Sequence, residues 1–152
     1  MPNVEHSTLT TTDLHEPKGI AAATNNKVYV ANGSGSGSWL PRTHTLFTTK
    51  ENVSNAGSSY VPIPYAGTIA KVVSVLPGAI TTADALITLK NDAGVSMGTL
   101  TIAHSGSAAG DVDTLVPVSN NTVTADTFIT LESNGASTNN VPVHFAIVLE
   151  RS

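Results

Sequence analysis

The sequence predicts an all-β protein: a jelly-roll-like β-sandwich of about eight strands with an extended N-terminal arm. Three observations support this fold class. Charged residues make up only 12% of the 152-residue chain, and the Glu, Lys, Arg and Leu that helices favour are depleted. After residue 45, short apolar segments alternate with period two between turn residues. A Gly/Ser tract at 33–38 separates these segments from a leading stretch poor in apolar side chains.

The leading stretch is predicted to be an arm that gains order only on a partner. Alternating Gly and Ser gives a flexible coil, and ordering its backbone costs about 1–2 kcal/mol per residue. Val28, Tyr29 and Val30 form a short apolar run that could add a strand to the sheet edge of another chain. The predicted domains are therefore an arm with its Gly/Ser linker, residues 1–40, and a β-sandwich, residues 41–152.

The predicted strands of the sandwich follow one another at short spacing, which favours a jelly roll or related sandwich over a small barrel. The predicted strands at 127–133 and 141–149 have the clearest alternation of apolar and polar residues. The predicted strand at 67–76 carries apolar residues on both faces and is predicted to be covered on both sides for part of its length. Helix is limited to about one turn. The predicted strands are 45–49, 61–65, 67–76, 84–90, 97–103, 112–118, 127–133 and 141–149.

Three aromatic residues are candidates for contacts. Trp39 follows the Gly/Ser tract and has two interpretations: it caps one end of the sandwich core, or it anchors the arm against a neighbouring subunit. Tyr60 and Tyr65 flank Pro62 and Pro64. Prolines at alternate positions remove donors from one strand edge, which predicts an edge strand or an extended linker. In the alternative interpretation, Tyr60 and Tyr65 form an exposed contact surface.

The residues that could carry chemistry do not form a recognisable site. The five histidines lack the i, i+2 or i, i+4 spacing of metal ligands. Asp111 and Asp113 could hold a cation such as Ca²⁺ on one strand face, but a solvated strand entry is the favoured interpretation. The tract at 33–37 matches the Gly-x-Ser-x-Gly pattern of a nucleophile elbow, but the sequence predicts no strand before it and no helix after it. The sequence therefore predicts no enzyme, no metal site and no cofactor.

Charge and composition narrow the range of partners. The formal net charge is -4 and no basic cluster stands out, so we expect no binding to nucleic acid or to an anionic membrane surface. Cysteine is absent, which excludes disulfides and thiolate chemistry. No apolar stretch approaches the length of roughly 20 residues that spans a bilayer, and the start lacks the features of a signal peptide. We therefore expect a soluble protein or a part of a soluble assembly.

Two groups of segments stand out along the chain. The first group consists of Leu14-His15-Glu16-Pro17-Lys18-Gly19, Val28-Tyr29-Val30-Ala31-Asn32-Gly33 and Gly37-Ser38-Trp39. The second group consists of residues 67–69 through 79–84, 105–111 and 134–138. The first group resembles the N-terminal segment of small virion proteins of tailed bacteriophages, and the second resembles the β-domain of phage capsid decoration, or cement, proteins. Together the two groups cover most of the chain.

The resemblance implies a structural virion protein, made in the host cytoplasm, that binds the outer surface of a capsid. Such a subunit is commonly a homotrimer near local threefold positions, and it stabilises contacts between subunits of the major capsid protein, its main partner. Tyr60 and Tyr65 are then candidates for the interface between copies. The residues expected to contact the capsid are those of the arm: Leu14, His15, Pro17, Lys18, Val28, Tyr29, Val30 and Trp39.

An alternative from another class stays open. The protein could be a receptor- or carbohydrate-binding module of a head fibre or tail. In that case the polar loops at 105–110 and 134–140 would contact the ligand, because binding residues are concentrated on loops held by a rigid scaffold.

Overall fold

The computed structural model describes residues 25–34 and 37–152. The chain divides into two compact units, Met1–Pro41 and Arg42–Ser152. Within the described residues, no helix has the length and apolar character needed to cross a bilayer.

The described part of the leading unit is a β-hairpin. Strand β1 (Lys27–Ala31) pairs antiparallel with β2 (Gly37–Pro41). The prediction of a flexible linker is wrong for the end of the Gly/Ser tract, because Gly37 pairs with Ala31 and Ser38 with Val30. Main-chain hydrogen bonds to an apolar strand supply the interactions that a Gly/Ser coil lacks on its own. The run around Tyr29 thus finds a strand partner within its own chain.

The second unit is built from nine strands in two sheets. One sheet has the order β3-β11-β5-β8 with β9 beside β5, and the other has the order β4-β10-β6-β7. Every pairing is antiparallel. The strands are β3 (Thr43–Lys50), β4 (Gly57–Ile63), β5 (Gly67–Val75), β6 (Ala85–Lys90), β7 (Ser96–Ile102), β8 (Val112–Leu115), β9 (Thr122–Val123), β10 (Thr127–Ser133) and β11 (Val143–Arg151).

The connections make this sandwich a jelly roll. The chain crosses between the two sheets after β3, β4, β5, β7, β9 and β10, so that strands adjacent in sequence mostly lie in opposite sheets. The predicted all-β, jelly-roll-like fold is confirmed. All eight predicted strands are present, and the bounds of all but the one at 127–133 are shifted. Strand β9 has only two residues and is too short to show an alternating pattern.

The inner faces of the two sheets form one hydrophobic core. Alternate residues of each strand point inward, which is why Ile129 and Leu131 on β10 and Phe145, Ile147 and Leu149 on β11 are buried. The core also takes in loop residues: Val53, Leu76 and Ile80.

Strand β5 departs from strict alternation at a β-bulge. Ala70 is an extra residue with no partner in the pairing between β5 and β11. Before the bulge Ile69 faces the core, and after it Val72 does. Val73 and Val75 therefore lie half-buried on the outer face. The apolar residues on both faces of this segment, which predict cover on both sides for part of its length, reflect this change of phase.

Candidate interaction surfaces

The β1–β2 hairpin presents an apolar face. Val28 and Leu40 are cross-strand partners, and Val30 lies on the same face two residues along β1. Their exposed fractions are 48%, 47% and 47% for Val28, Leu40 and Val30 respectively. A two-stranded hairpin is at best marginally stable alone, so burying this face against another protein would stabilise it.

The opposite face of the hairpin holds an aromatic pair. Tyr29 and Trp39 are cross-strand partners whose ring centroids lie 5.3 Å apart at an interplanar angle of 62°. The Tyr29 ring also covers Gly37: a Cβ on Gly37 would lie 2.8 Å from Tyr29 Cζ. Glycine at this position therefore lets the tyrosine lie flat across β2. Trp39 belongs to a packed pair, and both roles predicted for it stay predictions.

Four residues predicted to contact the capsid, Leu14, His15, Pro17 and Lys18, lie outside the described residues. The other four, Val28, Tyr29, Val30 and Trp39, are all in the hairpin, and the structure brings them together on its two faces.

The outer face of the β3-β11-β5-β8 sheet carries an apolar groove of about 290 Å³. Phe47, Ala146 and Val73 form one row across three strands, and His144 and Val75 belong to the next row. Phe47 is 78% exposed. We call these five residues the Phe47 groove. Its lining is almost wholly apolar, which is unusual for a sandwich face open to water.

Phe47 was not among the residues singled out from the sequence, although the sequence holds a signal for it. Leu46 and Phe47 are adjacent apolar residues in a strand with period two. Because successive side chains point to opposite faces, one of the two must lie on the outer face. Leu46 packs against the core, so Phe47 is the outward one.

The outer face of the other sheet carries an aromatic ridge at its edge. Tyr60 on β4 and Phe128 on β10 pack edge to face, with ring centroids 5.4 Å apart at 75°. Pro62, directly opposite Phe128, continues this surface. Tyr60 is 66% exposed and Phe128 39%. We call Tyr60, Pro62 and Phe128 the Tyr60 ridge. Strand β4 is at the edge of its sheet, as the prolines predict.

Tyr65 belongs to a different cluster. Its ring lies 4.6 Å from that of His44, and the guanidinium of Arg151 lies 4.1 Å from its centroid. The cation–π contact and the histidine fix the loop after β4 against the ends of β3 and β11. The structure thus gives Tyr60 and Tyr65 different ring partners, and Tyr60 is the more exposed of the two.

Asp84 and His104 form a polar pair at the loop after β7. The carboxylate of Asp84 accepts hydrogen bonds from the main-chain N–H of His104, at 2.9 Å, and pairs with its Nδ1, at 2.7 Å. These contacts lower the pKa of Asp84, the main-chain bond most. The hydroxyl of Ser107 bonds the main-chain groups of Ile80 and His104. The pair therefore holds the loop after β7 in place.

Asp111 and Asp113 stand at the entry of β8, as expected. Asp113 lies opposite Ser74, which is 1% exposed and whose Oγ has no hydrogen-bond partner among the described residues. Burial, and then the charge of Asp111, raise the pKa of Asp113. The described residues contain no group of three or more His, Cys, Asp and Glu side chains placed to hold a metal ion.

The loop at 134–140, one of the two considered for ligand binding, uses part of its polar groups for hydrogen bonds within the protein. The side-chain amide of Asn139 donates to the carbonyl of Ala79, and Asn134 Oδ1 accepts from the N–H of Leu86. Thr138 bonds the hydroxyls of Thr81 and Thr82. These bonds fasten the 134–140 loop to β6 and to the turn before it.

Comparisons with known proteins point to a shared fold. No protein-family model and no curated protein matches the chain. A chain of the "Cyanophage Pam1 capsid asymmetric unit" aligns over 100% of both chains at 16% identity with a TM-score of 0.48. A chain of the "Acidic stable capsid structure of Helicobacter pylori bacteriophage KHP30" aligns over 73% of this chain and 90% of that chain, at 12% identity and a TM-score of 0.51. Over 73% of its length, this protein therefore shares its fold with a chain of the KHP30 capsid structure.

Proposed function

We propose that this protein is a structural virion protein that binds the outer surface of a phage capsid and stabilises contacts between major capsid protein subunits. The observation that carries the proposal is the fold shared with a chain of the KHP30 capsid structure. Fold alone does not define function. The resemblance of the sequence to decoration proteins and the exposed apolar surfaces support the same conclusion independently.

The leading unit is the proposed capsid contact. Its hairpin exposes Val28, Val30 and Leu40, and burying the remaining half of each side chain contributes about 1 kcal/mol. An arm that becomes ordered only on its partner meets the entropy cost of ordering at binding. In its extended form it can cover a large area of the shell, even though the protein is small. The sandwich, with its own core, is the proposed trimer-forming body.

Capsid co-sedimentation tests this proposal. Full-length protein is added to capsids that lack it, prepared from the phage whose genome encodes it, and the pelleted fraction is measured. Val30→Asp places a charge on the apolar face and should weaken binding at least about tenfold. Thr101→Asp, at an exposed position on β7, is the matched control and should bind normally. Equal binding by the two variants would remove the hairpin from the capsid contact.

Two deletions divide the arm further. A chain without residues 2–24 keeps both strands of the hairpin, whereas one without residues 2–32 loses β1. Binding retained by the first and lost by the second would assign the contact to the hairpin. Loss in both would assign it to the segment with Leu14, His15, Pro17 and Lys18, and normal binding by the second would defeat the arm's role.

A cryo-electron microscopy reconstruction of the virion that finds the chain on the tail or a head fibre would favour receptor or carbohydrate binding instead.

A further inference from the structure

We propose that the Tyr60 ridge of one copy of this protein inserts into the Phe47 groove of a second copy. This inference rests on the proposed self-association and deepens it, because it names the two surfaces that join neighbouring copies. Both surfaces belong to the second unit, and both flank the edge where β3 and β4 are the outermost strands of their sheets.

The dimensions of ridge and groove match. The groove measures about 290 Å³, and a protein cavity of about 150 Å³ binds benzene. One phenol ring therefore fits with room for its Cβ. Tyr60 is supported on one side by Phe128 and is 66% exposed, so its ring is held out from the sheet. Phe47, Val73 and Ala146 give the ring an apolar surface on which to pack.

The polar tip of the tyrosine also finds a partner. His144 Nδ1 bonds Thr49 Oγ1 at 2.9 Å, which leaves Nε2 for another group. His144 is exposed at the rim of the groove. A tyrosine hydroxyl can donate to or accept from an imidazole nitrogen, so the Tyr60 hydroxyl can bond His144 Nε2 of the second copy while the ring fills the groove.

The two surfaces favour a ring of copies over a face-to-face dimer. A contact between two unlike surfaces is heterologous and leaves each copy with one ridge and one groove to use again. Copies joined in this way close into a ring when the rotation allows, as a homotrimer requires.

Sedimentation velocity on the full-length chain at micromolar concentration tests the inference without any capsid. Wild-type protein should associate. Tyr60→Ala removes the ridge, and Ala146→Phe fills the groove from the middle of its row. Each should weaken association about tenfold or more. Tyr65→Ala is the matched control, because Tyr65 packs on His44 and Arg151 within its own copy, and it should associate normally.

Mixing the two defective variants gives the decisive result. Tyr60→Ala keeps an intact groove and Ala146→Phe keeps an intact ridge, so the mixture contains one complete contact and should form heterodimers. Restored association would support the ridge-and-groove contact even if one variant were less stable. Monomeric wild-type protein, normal association of Tyr60→Ala, or no association in the mixture of folded variants would overturn it. Capsid co-sedimentation is a separate readout, so failure to bind capsids would defeat the proposed function and leave this result standing.

Discussion

Tyr29 and Trp39 face each other across β1 and β2, with their rings 5.3 Å apart in an edge-to-face arrangement. Such a pair contributes about 0.5–1.5 kcal/mol beyond the area it buries. Tyr29→Ala should therefore loosen the hairpin. Since Trp39 is the single tryptophan, its fluorescence should move to longer wavelength and become easier to quench. Tyr65→Ala should leave the spectrum as it is, and an unchanged spectrum in Tyr29→Ala would contradict the pairing.

Two buried serines should respond in opposite ways to loss of the hydroxyl. Ser133 is 2% exposed, and its Oγ donates to the carbonyl of Val53 at 2.7 Å. Ser133→Ala leaves that carbonyl unpaired and should lower the free energy of unfolding by about 1–3 kcal/mol. Ser74 is equally buried but lacks a partner among the described residues. Ser74→Ala should thus be neutral or raise the free energy of unfolding by about 1 kcal/mol. Urea denaturation measures both, and equal losses would contradict this assignment.

Two glycines with positive φ should differ in their tolerance of alanine. Gly94 has φ +78° and open space around it, so Gly94→Ala should cost only the backbone strain of about 1 kcal/mol. Gly135 has φ +68°, and a Cβ there would lie 2.5 Å from the main-chain nitrogen of Ala56. Gly135→Ala should therefore cost about 3 kcal/mol, since strain and a backbone clash add. Thermal and urea unfolding compare the two, and equal costs would argue against the close approach.

The pKa shifts of two aspartates predict opposite effects of pH on stability. The pKa of Asp113 is raised above its ordinary value of 3.8 in the folded protein, so the fold holds this proton more tightly than the unfolded chain does. Its contribution is most favourable below that value and is lost as pH rises through the folded pKa. Asp113→Asn should consequently raise the stability at neutral pH, and the gain should vanish in acid.

Asp84 should behave in the reverse manner. Its pKa is lowered below 3.8 by hydrogen bonds from His104, so its contribution is present above that value and is lost as pH falls through the folded pKa. Asp84→Asn should lower stability at neutral pH and have little effect in strong acid. Urea denaturation of both variants across the acid range checks the two signs, and parallel curves for the two would refute the assignment.

The sequence predicts best those elements whose side chains alternate between core and solvent. The bounds predicted for β10, 127–133, are those of the structure, because Ile129 and Leu131 occupy alternate positions on the core side of the strand. The phase change at Ala70 escapes such an analysis, because the bulge depends on pairing with β11. The β1–β2 hairpin escapes it too, since Gly37 and Ser38 have low strand propensity and are held by their partner strand.

The candidate surfaces were predictable only in part. Tyr60 stands out in the sequence because prolines mark β4 as an edge, but its support by Phe128 joins strands far apart in the chain. The Phe47 groove requires β3, β11 and β5 to lie side by side, and no local pattern specifies which strands are neighbours.

The pairing of β3 with β11 determines when this protein can fold. Thr49 and His144 are 95 positions apart in sequence yet hydrogen-bonded neighbours, and β11 is the strand that joins β3 to β5. During synthesis β3 and β5 therefore lack their shared partner until β11 itself has left the ribosome. Contacts this distant place folding in the millisecond-to-second range typical of all-β domains, and each nascent chain must stay soluble through that interval.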